Sequence, residues 1–212
     1  MRGANMIEIV DYKAGNLTSV KRALDHLGIA SRITPDPGAI RAAERVIFPG
    51  VGAAGCAVET LKDGGLFEAL KDAYAKGTPI LGICLGTQII LSRSEEDGGV
   101  ECLGLIPGDV VRFDLKNPSL KVPHIGWNGI RIGRPHPLLE GVKEGDEFYF
   151  VHSYYPRPAS AADAIATTEY ETVFASVIGR RNLFATQFHP EKSGLAGLGI
   201  LERFAKWEGR PC

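Results

Sequence analysis

The 212-residue sequence lacks the features that mark membrane, secreted and nucleic-acid-binding proteins. No apolar run approaches the length of a bilayer span, and the N-terminus has no signal-peptide core. The formal net charge is −1 and basic residues form no block, so electrostatics favour neither nucleic acid nor an anionic membrane as a partner. Residues 1–5 are interpreted as a short leader or vector-derived segment, because the first strand is expected to begin at Met6.

Cysteine is sparse, and no Cys-x-x-Cys pair occurs among Cys56, Cys84, Cys102 and Cys212. This spacing indicates neither a zinc site nor a redox motif. Widely spaced free thiols are typical of a reducing compartment, so we expect a cytoplasmic protein. A Gly-x-Gly-x-x-Gly fingerprint and a Walker sequence are also absent, which counts against a nucleotide site.

The stretch around which the chain is organised covers residues 79–88 and carries Cys84 between two glycines. Its apolar run predicts a buried parallel strand that turns sharply into a helix. Gly82 and Gly86 remove Cβ atoms where the two backbones must approach closely, as in a nucleophile elbow. A helix N-terminus favours the thiolate, and the N–H of Leu85 is placed to stabilise an oxyanion. A passive core cysteine is the competing interpretation, because free cysteine is commonly buried.

A cysteine nucleophile needs a base, and the sequence offers five histidines. We expect His26 on a helix surface and His136 in a loop. His189 has the most suitable neighbour, because Glu191 follows it by two positions. In an extended chain such residues share a face, so the carboxylate can bind one ring nitrogen and leave the other for the thiol. A His-x-Glu sequence by itself is more often structural than catalytic, since triads are defined by geometry.

A second glycine-rich stretch, residues 49–55, follows a predicted strand. The simplest interpretation is a tight turn, for which glycine is the common residue. The functional alternative is a backbone that approaches a ligand and offers the amide of Val51 or Gly52 as a second oxyanion donor. The sequence alone leaves both interpretations open.

Strands and helices alternate in the first half, whereas the second half has short strands between proline and glycine turns. We therefore predict an α/β fold with a mostly parallel sheet and added antiparallel strands, in a single domain over residues 1–212. Asn16 is expected to cap the first helix, and residues 95–97 to be solvated. The predicted strands are residues 6–10, 29–33, 45–48, 80–83, 110–113, 129–132, 147–151, 164–168, 173–178 and 183–188, the last two forming a hairpin. The predicted helices are residues 17–27 and 66–76, with a C-terminal helix that includes residues 198–207.

Together, Gly-Ile-Cys-Leu-Gly-Thr-Gln at 82–88 and Gln-Phe-His-Pro-Glu at 187–191 resemble the class I, or triad, glutamine amidotransferases. The resemblance is closest to the glutaminase subunit of imidazole glycerol phosphate synthase and covers essentially the whole chain. It implies a class I glutamine amidotransferase-like (flavodoxin-like) fold with no cofactor and no metal. The segments that carry the closer resemblance are residues 11–16, 49–52, 123–128, 151–155 and 191–193.

The resemblance also implies a reaction and a partner. Glutamine is hydrolysed to glutamate, and the ammonia passes to a (β/α)8-barrel synthase subunit in a heterodimer that serves histidine biosynthesis. Cys84 would attack the amide, His189 would transfer protons and Glu191 would orient the imidazole. The implied oxyanion hole consists of Val51, Gly52 and Leu85. The implied glutamine contacts are Gly52, Gln88, Ser153 and Tyr154, and the implied partner contacts are Asn16, Trp127 and Lys192.

Three alternatives remain open. One is a glutaminase of another class I amidotransferase, such as those serving anthranilate or GMP synthesis, against which residues 123–128 argue. Another is a cysteine hydrolase of the α/β-hydrolase type, although that class places its acid before the histidine in the chain. The last is a catalytically silent docking module. The partner-facing residues also have plain structural explanations, namely a helix cap for Asn16, a core aromatic for Trp127 and a surface lysine for Lys192.

Overall fold

The computed structural model describes residues 6–13 and 15–210. The expected leader at residues 1–5, Ala14 of the first loop and the expected free thiol of Cys212 lie outside the described residues. Within the described ranges, no helix combines the length and the apolar character needed to cross a membrane. In the same part of the chain, His, Cys, Asp and Glu side chains form no group of three that could hold a metal ion.

The described chain contains fourteen strands and six α-helices. The strands are β1 (Ile7–Val10), β2 (Ser31–Thr34), β3 (Arg45–Gly50), β4 (Ile80–Cys84), β5 (Arg93–Ser94), β6 (Val100–Glu101), β7 (Gly108–Arg112), β8 (His124–Gly129), β9 (Arg131–Ile132), β10 (Glu147–His152), β11 (Tyr154–Pro158), β12 (Ala164–Tyr170), β13 (Thr172–Arg180) and β14 (Leu183–Thr186). The helices are α1 (Leu17–His26), α2 (Pro37–Ala42), α3 (Ala54–Asp63), α4 (Leu66–Lys76), α5 (Leu85–Ile89) and α6 (Gly194–Phe204).

The central sheet has eight strands in the order β2-β1-β3-β4-β14-β13-β12-β9. The first five of these run parallel, and β13, β12 and β9 add an antiparallel edge. Strands β1, β3 and β4 are buried along their whole length, which explains their continuous apolar runs. Helices α2, α3 and α4 pack on one face, and α1 and α6 on the other. The predicted α/β fold with antiparallel additions is confirmed.

Two smaller sheets extend the C-terminal half. Strands β10 and β8 pair antiparallel, and β11-β7-β5-β6 form a four-stranded sheet. Helices α2 and α3 and strands β5, β6 and β11 were not predicted. Helix α2 has six residues, too few for a clear helical period, and α3 begins inside the glycine-rich stretch, for which neither interpretation included a helix. The predicted strand at 129–132 straddles the end of β8 and all of β9.

The structure contradicts the prediction that the acidic residues 95–97 are simply solvated. Glu96 Oε2 accepts a hydrogen bond from the Ala54 amide at 2.7 Å, and Asp97 Oδ2 accepts one from the Gly55 amide at 3.1 Å. These are the first amides of α3, which have no carbonyl partner within the helix. The prediction of a purely solvated run is therefore wrong, because the unpredicted helix supplies donors that the sequence did not reveal.

The predicted hairpin between β13 and β14 is confirmed, and it positions the C-terminal half against β4. The Asn182 side chain at its turn donates to the carbonyl oxygens of Tyr74 and Thr78, at 3.1 and 2.7 Å. Strand β14 then runs parallel to β4, with Leu183 opposite Ile80 at one end of the register. The carboxyl ends of these two strands therefore meet at one edge of the sheet.

The corner between β4 and α5 requires its glycines. A Cβ on Gly86 would lie 1.9 Å from the carbonyl oxygen of Phe48, and one on Gly82 would lie 2.6 Å from Ile90 Cδ1. Between them, Cys84 has φ 54° and ψ −108°, a backbone conformation that residues with a side chain rarely adopt. Close approach of strand and helix thus holds Cys84 in a strained turn.

This close approach generates a stability prediction. We expect Gly86→Ala to lower the free energy of unfolding by about 3 kcal/mol or more, because a backbone carbonyl cannot move aside as a side chain can. Gly28→Ala is the matched control, since Gly28 has φ +69° and a Cβ added there would meet no atom within 4 Å. Its loss should be about 1 kcal/mol, from backbone strain alone. Urea unfolding measures both, and equal losses would contradict the close-packing explanation.

Candidate active site

A cavity of about 260 Å³ opens at the carboxyl ends of β3 and β4, where ligands bind in open α/β sheets. The structure brings all six predicted oxyanion and glutamine contacts to this cavity, together with Cys84. The lining residues are Val51, Gly52, Cys84, Leu85, Gln88, Glu96, Pro123, Val151, His152, Ser153 and Tyr154. A larger cavity of about 490 Å³ beside β9 is lined by residues between 132 and 140, and its lining contains no cysteine, serine or threonine.

Cys84 is the last residue of β4 and immediately precedes α5. The residue is only 5% exposed. Its sulfur lies 3.9 Å from the carbonyl oxygen of Val151 and 3.7 Å from Gln187 Nε2. The N–H of Leu85 is the first of α5 and lacks an intrahelical acceptor, so the corner joins a thiol to a free amide donor.

His189 interacts with Cys84 and contacts Glu191. His189 Nδ1 is 2.8 Å from Glu191 Oε1, and both side chains are buried. The contact arises differently from the prediction, because residues Pro190–Lys192 form a 3-10 turn and are not extended. Proline suits the first position of such a turn, where its missing N–H leaves no bond unmade. His189 Nε2 is buried with no regular hydrogen-bond partner among the described residues, which leaves it available for proton transfer.

Two opposing effects act on His189. Burial lowers its pKa, but the charge interaction with Cys84 and the hydrogen-bonded Glu191 carboxylate outweigh burial and raise the pKa to about 9. The backbone of His189 is fixed as well, since its N–H donates to the Tyr149 carbonyl at 2.9 Å and its carbonyl accepts from Ser193 Oγ at 2.6 Å.

His152 also lines the cavity but is unsuited to act as the base. Its Nδ1 is 2.8 Å from the Tyr154 carbonyl, which can only accept, so Nδ1 carries the hydrogen. Its Nε2 must then accept from His124 Nδ1 at 3.1 Å. Burial is the main cause that lowers the pKa of His152 to about 3. Both nitrogens are engaged and the ring is neutral, so His189 is the better candidate.

Glu96 is a cavity residue that the sequence analysis missed. One of its oxygens binds the α3 amide described above, and the residue also lines the cavity. Burial is the main cause that raises its pKa. No sequence signal distinguished Glu96 from its acidic neighbours, because its position depends on α3. Tyr12 was missed too, and its hydroxyl donates to the Pro49 carbonyl at 2.9 Å beside the glycine-rich loop.

Asn16 occupies the N-cap position of α1, but its side chain caps nothing. Its Nδ2 instead donates to Glu191 Oε1 at 2.5 Å. The predicted N-cap position is therefore confirmed, but the cap is made by the backbone carbonyl of Asn16 and not by its side chain. The left-handed backbone of Asn16, with φ 77°, directs the amide toward the histidine–glutamate pair.

Trp127 and Lys192 lie outside the cavity, on either side of Tyr149. Trp127 is 53% exposed, so the alternative of a core aromatic is wrong. Its ring meets Tyr149 edge-on at 6.0 Å, and Lys192 Nζ lies 5.5 Å from the centre of the same tyrosine ring. Tyr149 is in turn 6.3 Å from the His189 ring. An exposed surface thus reaches the candidate catalytic residues through one aromatic side chain.

The family model described as Glutamine amidotransferase class-I matches residues 8–206 of this chain. Two proteins named imidazole glycerol phosphate synthase subunit HisH are similar throughout. The one from Moorella thermoacetica is 49% identical over 200 residues, covering 94% of this chain and 94% of the relative. The one from Nitratidesulfovibrio vulgaris is 50% identical over 204 residues, covering 94% of this chain and 95% of the relative.

Solved structures show the same fold at much lower identity. The PurLQS structure from Thermotoga maritima has a TM-score of 0.71 at 17% identity, covering 96% of this chain and 98% of that chain. A glutamine amidotransferase structure from Thermotoga maritima has a TM-score of 0.70 at 14% identity, covering 96% of this chain and 99% of that chain. Given the family match and the identity to the two HisH proteins, the chain belongs to the class I glutamine amidotransferase family and, within it, to the HisH group.

Proposed function

We propose that this protein is the glutaminase subunit of an imidazole glycerol phosphate synthase. It hydrolyses glutamine to glutamate and ammonia and supplies the ammonia to a (β/α)8-barrel synthase subunit. The observation that carries the proposal is that Cys84 lines the cavity and interacts with His189, whose Nδ1 is 2.8 Å from the Glu191 carboxylate. The names of the HisH relatives support a synthase partner.

In the proposed reaction, His189 Nε2 takes the thiol proton and the Cys84 thiolate attacks the side-chain amide carbon of glutamine. A C–S bond forms, and the tetrahedral intermediate then breaks its C–N bond as His189 returns the proton to the departing ammonia. Water, deprotonated by His189, hydrolyses the thioester, releasing glutamate and restoring the thiol. Glu191 holds the imidazole in the tautomer that leaves Nε2 free.

The other cavity residues divide between the oxyanion and the substrate. The amides of Leu85 and of the Val51-Gly52 turn are proposed to stabilise the oxyanion, since all three residues line the cavity beside the sulfur. Gly52, Gln88, Ser153 and Tyr154 are proposed to hold the glutamine backbone atoms. Glu96 adds a carboxylate to this cavity, and we assign it to the α-ammonium group of the substrate.

The proposed partner surface consists of Asn16, Trp127 and Lys192. Trp127 is exposed and aromatic, a residue type that is common at the centre of interfaces. Asn16 binds Glu191, and Lys192 stands over Tyr149 beside His189. A partner that contacts these residues would therefore touch side chains one step from the base.

The triad assignment predicts unequal losses of glutaminase activity. We expect Cys84→Ala to lower ammonia release by at least about ten-thousand-fold and His189→Ala nearly as much. Glu191→Ala should lose about a hundredfold, because nucleophile and base both remain. The exposed Cys56 provides the matched control, and Cys56→Ala should leave the rate unchanged.

The assay measures ammonia release with and without a barrel synthase subunit and its ribonucleotide substrate. Cys84-dependent release that rises with the liganded partner supports the whole proposal. Cys84-dependent release that ignores this partner would indicate an amidotransferase of the anthranilate or GMP type. A protein without Cys84-dependent release in either state would be a docking module or act on another substrate.

The Glu96 assignment predicts a defect in substrate binding. Glu96→Gln should raise the KM for glutamine about tenfold or more while changing kcat little, because a buried charge contact is lost and the triad is intact. Glu95→Gln is the control, since the exposed Glu95 does not line the cavity. Steady-state kinetics with glutamine measure both. An unchanged KM in Glu96→Gln would remove Glu96 from the substrate site.

The interface assignment predicts a role for the exposed charge of Lys192. Lys192→Ala should weaken partner binding about tenfold if its ammonium pairs with an acidic partner group. Lys206→Ala is the control, because this lysine already pairs with Glu202 at 2.7 Å on the same chain. Titration calorimetry measures the affinity, and ammonia release reports the stimulation. We would abandon the assignment if neither quantity changed in Lys192→Ala.

A further inference from the structure

Gln187 contacts the candidate nucleophile directly but has no role in the reaction described above. Its Nε2 lies 3.7 Å from Cys84 Sγ, within hydrogen-bonding distance for sulfur, and the residue is fully buried. An amide nitrogen can only donate, so the sulfur must accept. A hydrogen bond of this direction is strongest when the sulfur carries a negative charge.

The orientation of the Gln187 amide is determined by its neighbours. Gln88 Nε2 donates to the Tyr154 carbonyl at 2.9 Å, which fixes which end of the Gln88 amide faces inward. The same nitrogen donates to Gln187 Oε1 at 3.1 Å. Since a nitrogen facing Gln88 Nε2 would have nothing to donate to, Gln187 turns its oxygen to Gln88 and its nitrogen to the sulfur.

The chain of hydrogen bonds continues beyond Tyr154. The Tyr154 carbonyl also accepts from His152 Nδ1, and His152 Nε2 accepts from His124 Nδ1. The Tyr154 carbonyl can only accept, and it therefore fixes the tautomer of His152 and the orientation of the Gln88 amide. The series of hydrogen bonds runs from His124 on β8, a strand whose Ile125 is 61% exposed, to the sulfur of Cys84.

The backbone that carries Gln187 is held on both sides. Its N–H donates to the Ser176 carbonyl at 2.8 Å, which extends the β13–β14 pairing by one residue. The preceding carbonyl, of Thr186, accepts from Thr87 Oγ1 at 2.6 Å, and Thr186 Oγ1 donates to the Phe188 carbonyl at 2.9 Å. The side chain is therefore already ordered for the contact, so little conformational entropy is lost in making it.

We propose that Gln187 is a further catalytic residue of this site, which stabilises the Cys84 thiolate by donating an N–H···S hydrogen bond. The bond favours the charged nucleophile before attack. It acts again when water breaks the thioester C–S bond, because the departing sulfur regains its negative charge. The proposal rests on the proposed function in taking Cys84 as the nucleophile, but the state of the thiol is measurable without glutamine.

The test must separate the amide from the other groups around the sulfur. His189 stabilises the thiolate by charge, with Glu191 behind it, whereas the buried Tyr12 hydroxyl, the neutral His152 and Glu96 face the same region. All of these remain in Gln187→Met, which keeps a similar side-chain length and removes only the amide. A change in the thiol of this variant therefore reports the Gln187 amide.

The experiment is the pH dependence of iodoacetamide alkylation of the full-length protein without glutamine. A Cys56→Ser and Cys212→Ser background removes the exposed thiol and the terminal one. Cys102 stays silent, because burial is the main cause that raises its pKa to about 11. We expect Gln187→Met to raise the apparent pKa of Cys84 by about one pH unit and to slow alkylation at neutral pH about tenfold.

Asn182→Met is the matched control, since Asn182 is a buried amide at the other end of β14 whose donors go to backbone carbonyls. It should lower the melting temperature and leave the Cys84 pKa unchanged. An unchanged Cys84 pKa in folded Gln187→Met would overturn the proposal. If the unsubstituted protein released no ammonia from glutamine while Gln187→Met still raised the Cys84 pKa, only the proposed function would be contradicted.

A measurement on the unsubstituted protein covers the case in which Gln187→Met does not fold. The side-chain amide ¹⁵N and ¹H resonances of Gln187 should titrate with the Cys84 thiol and lose this titration in Cys84→Ala. Resonances that do not respond to the ionisation of Cys84 would refute the hydrogen bond. Gln187→Glu, which keeps the length and carries a carboxylate, should raise the thiol pKa at least as much as Gln187→Met.

Discussion

The parallel pairing of β14 with β4 is the constraint on which the candidate site depends. Thr186 lies opposite Ile83, so the chain leaves both strands at the same level of the sheet. After β4 the chain turns at Cys84 into α5, and after β14 it continues to His189 and Glu191. The two strands are about a hundred residues apart in the chain. The site therefore exists only once a long-range pairing, fixed by the β13–β14 hairpin, has formed.

Close packing at the corner between β4 and α5 and burial of the polar groups beside it together determine the pKa values of the nearby histidines. Glycines at positions 82 and 86 let β4 and α5 approach, and the polar side chains of Gln187 and His189 beside this corner are buried. Histidines with opposite pKa shifts therefore lie close together. Burial dominates at His124 and His152 and lowers their pKa values, whereas interactions with Cys84 and Glu191 outweigh burial at His189 and raise its pKa. The direction of the pKa shift thus distinguishes His152, which holds its neighbours in place, from His189, the proposed base.

Polar side chains connect the cavity to the exposed surface in two ways. Asn16 reaches Glu191 directly, and Tyr149 lies between His189 and the exposed Trp127 and Lys192. The histidine chain from β8 reaches the sulfur through Gln88 and Gln187. The first connection begins on the surface that is proposed to meet the synthase subunit, whereas the second begins at the buried His124 of β8, the strand that also carries Trp127. Only a few packed or hydrogen-bonded side chains thus lie between the proposed partner surface and the candidate nucleophile Cys84.

The sequence by itself determined the α/β class, the buried β4 strand and the strained corner at Cys84. These follow from local patterns, namely apolar runs, glycine spacing and the order of strands and helices. It also indicated His189 and Glu191 as neighbours, although it attributed their contact to an extended chain where the structure has a 3-10 turn. Motif resemblance supplied the predicted oxyanion and glutamine contacts, and the structure places these six residues around one cavity.

Only the tertiary structure decided the positions of Glu96, Asn16 and Gln187. Glu96 looked like any solvated acid until α3 presented its amides, and the Asn16 side chain looked like a helix cap until the C-terminal turn brought Glu191 within 2.5 Å. The Gln187 amide was oriented by partners from other segments of the chain. Such contacts join residues far apart in the chain, so no local periodicity encodes them. Long-range packing sets the direction of each donor, and with it the chemistry that the cavity can perform.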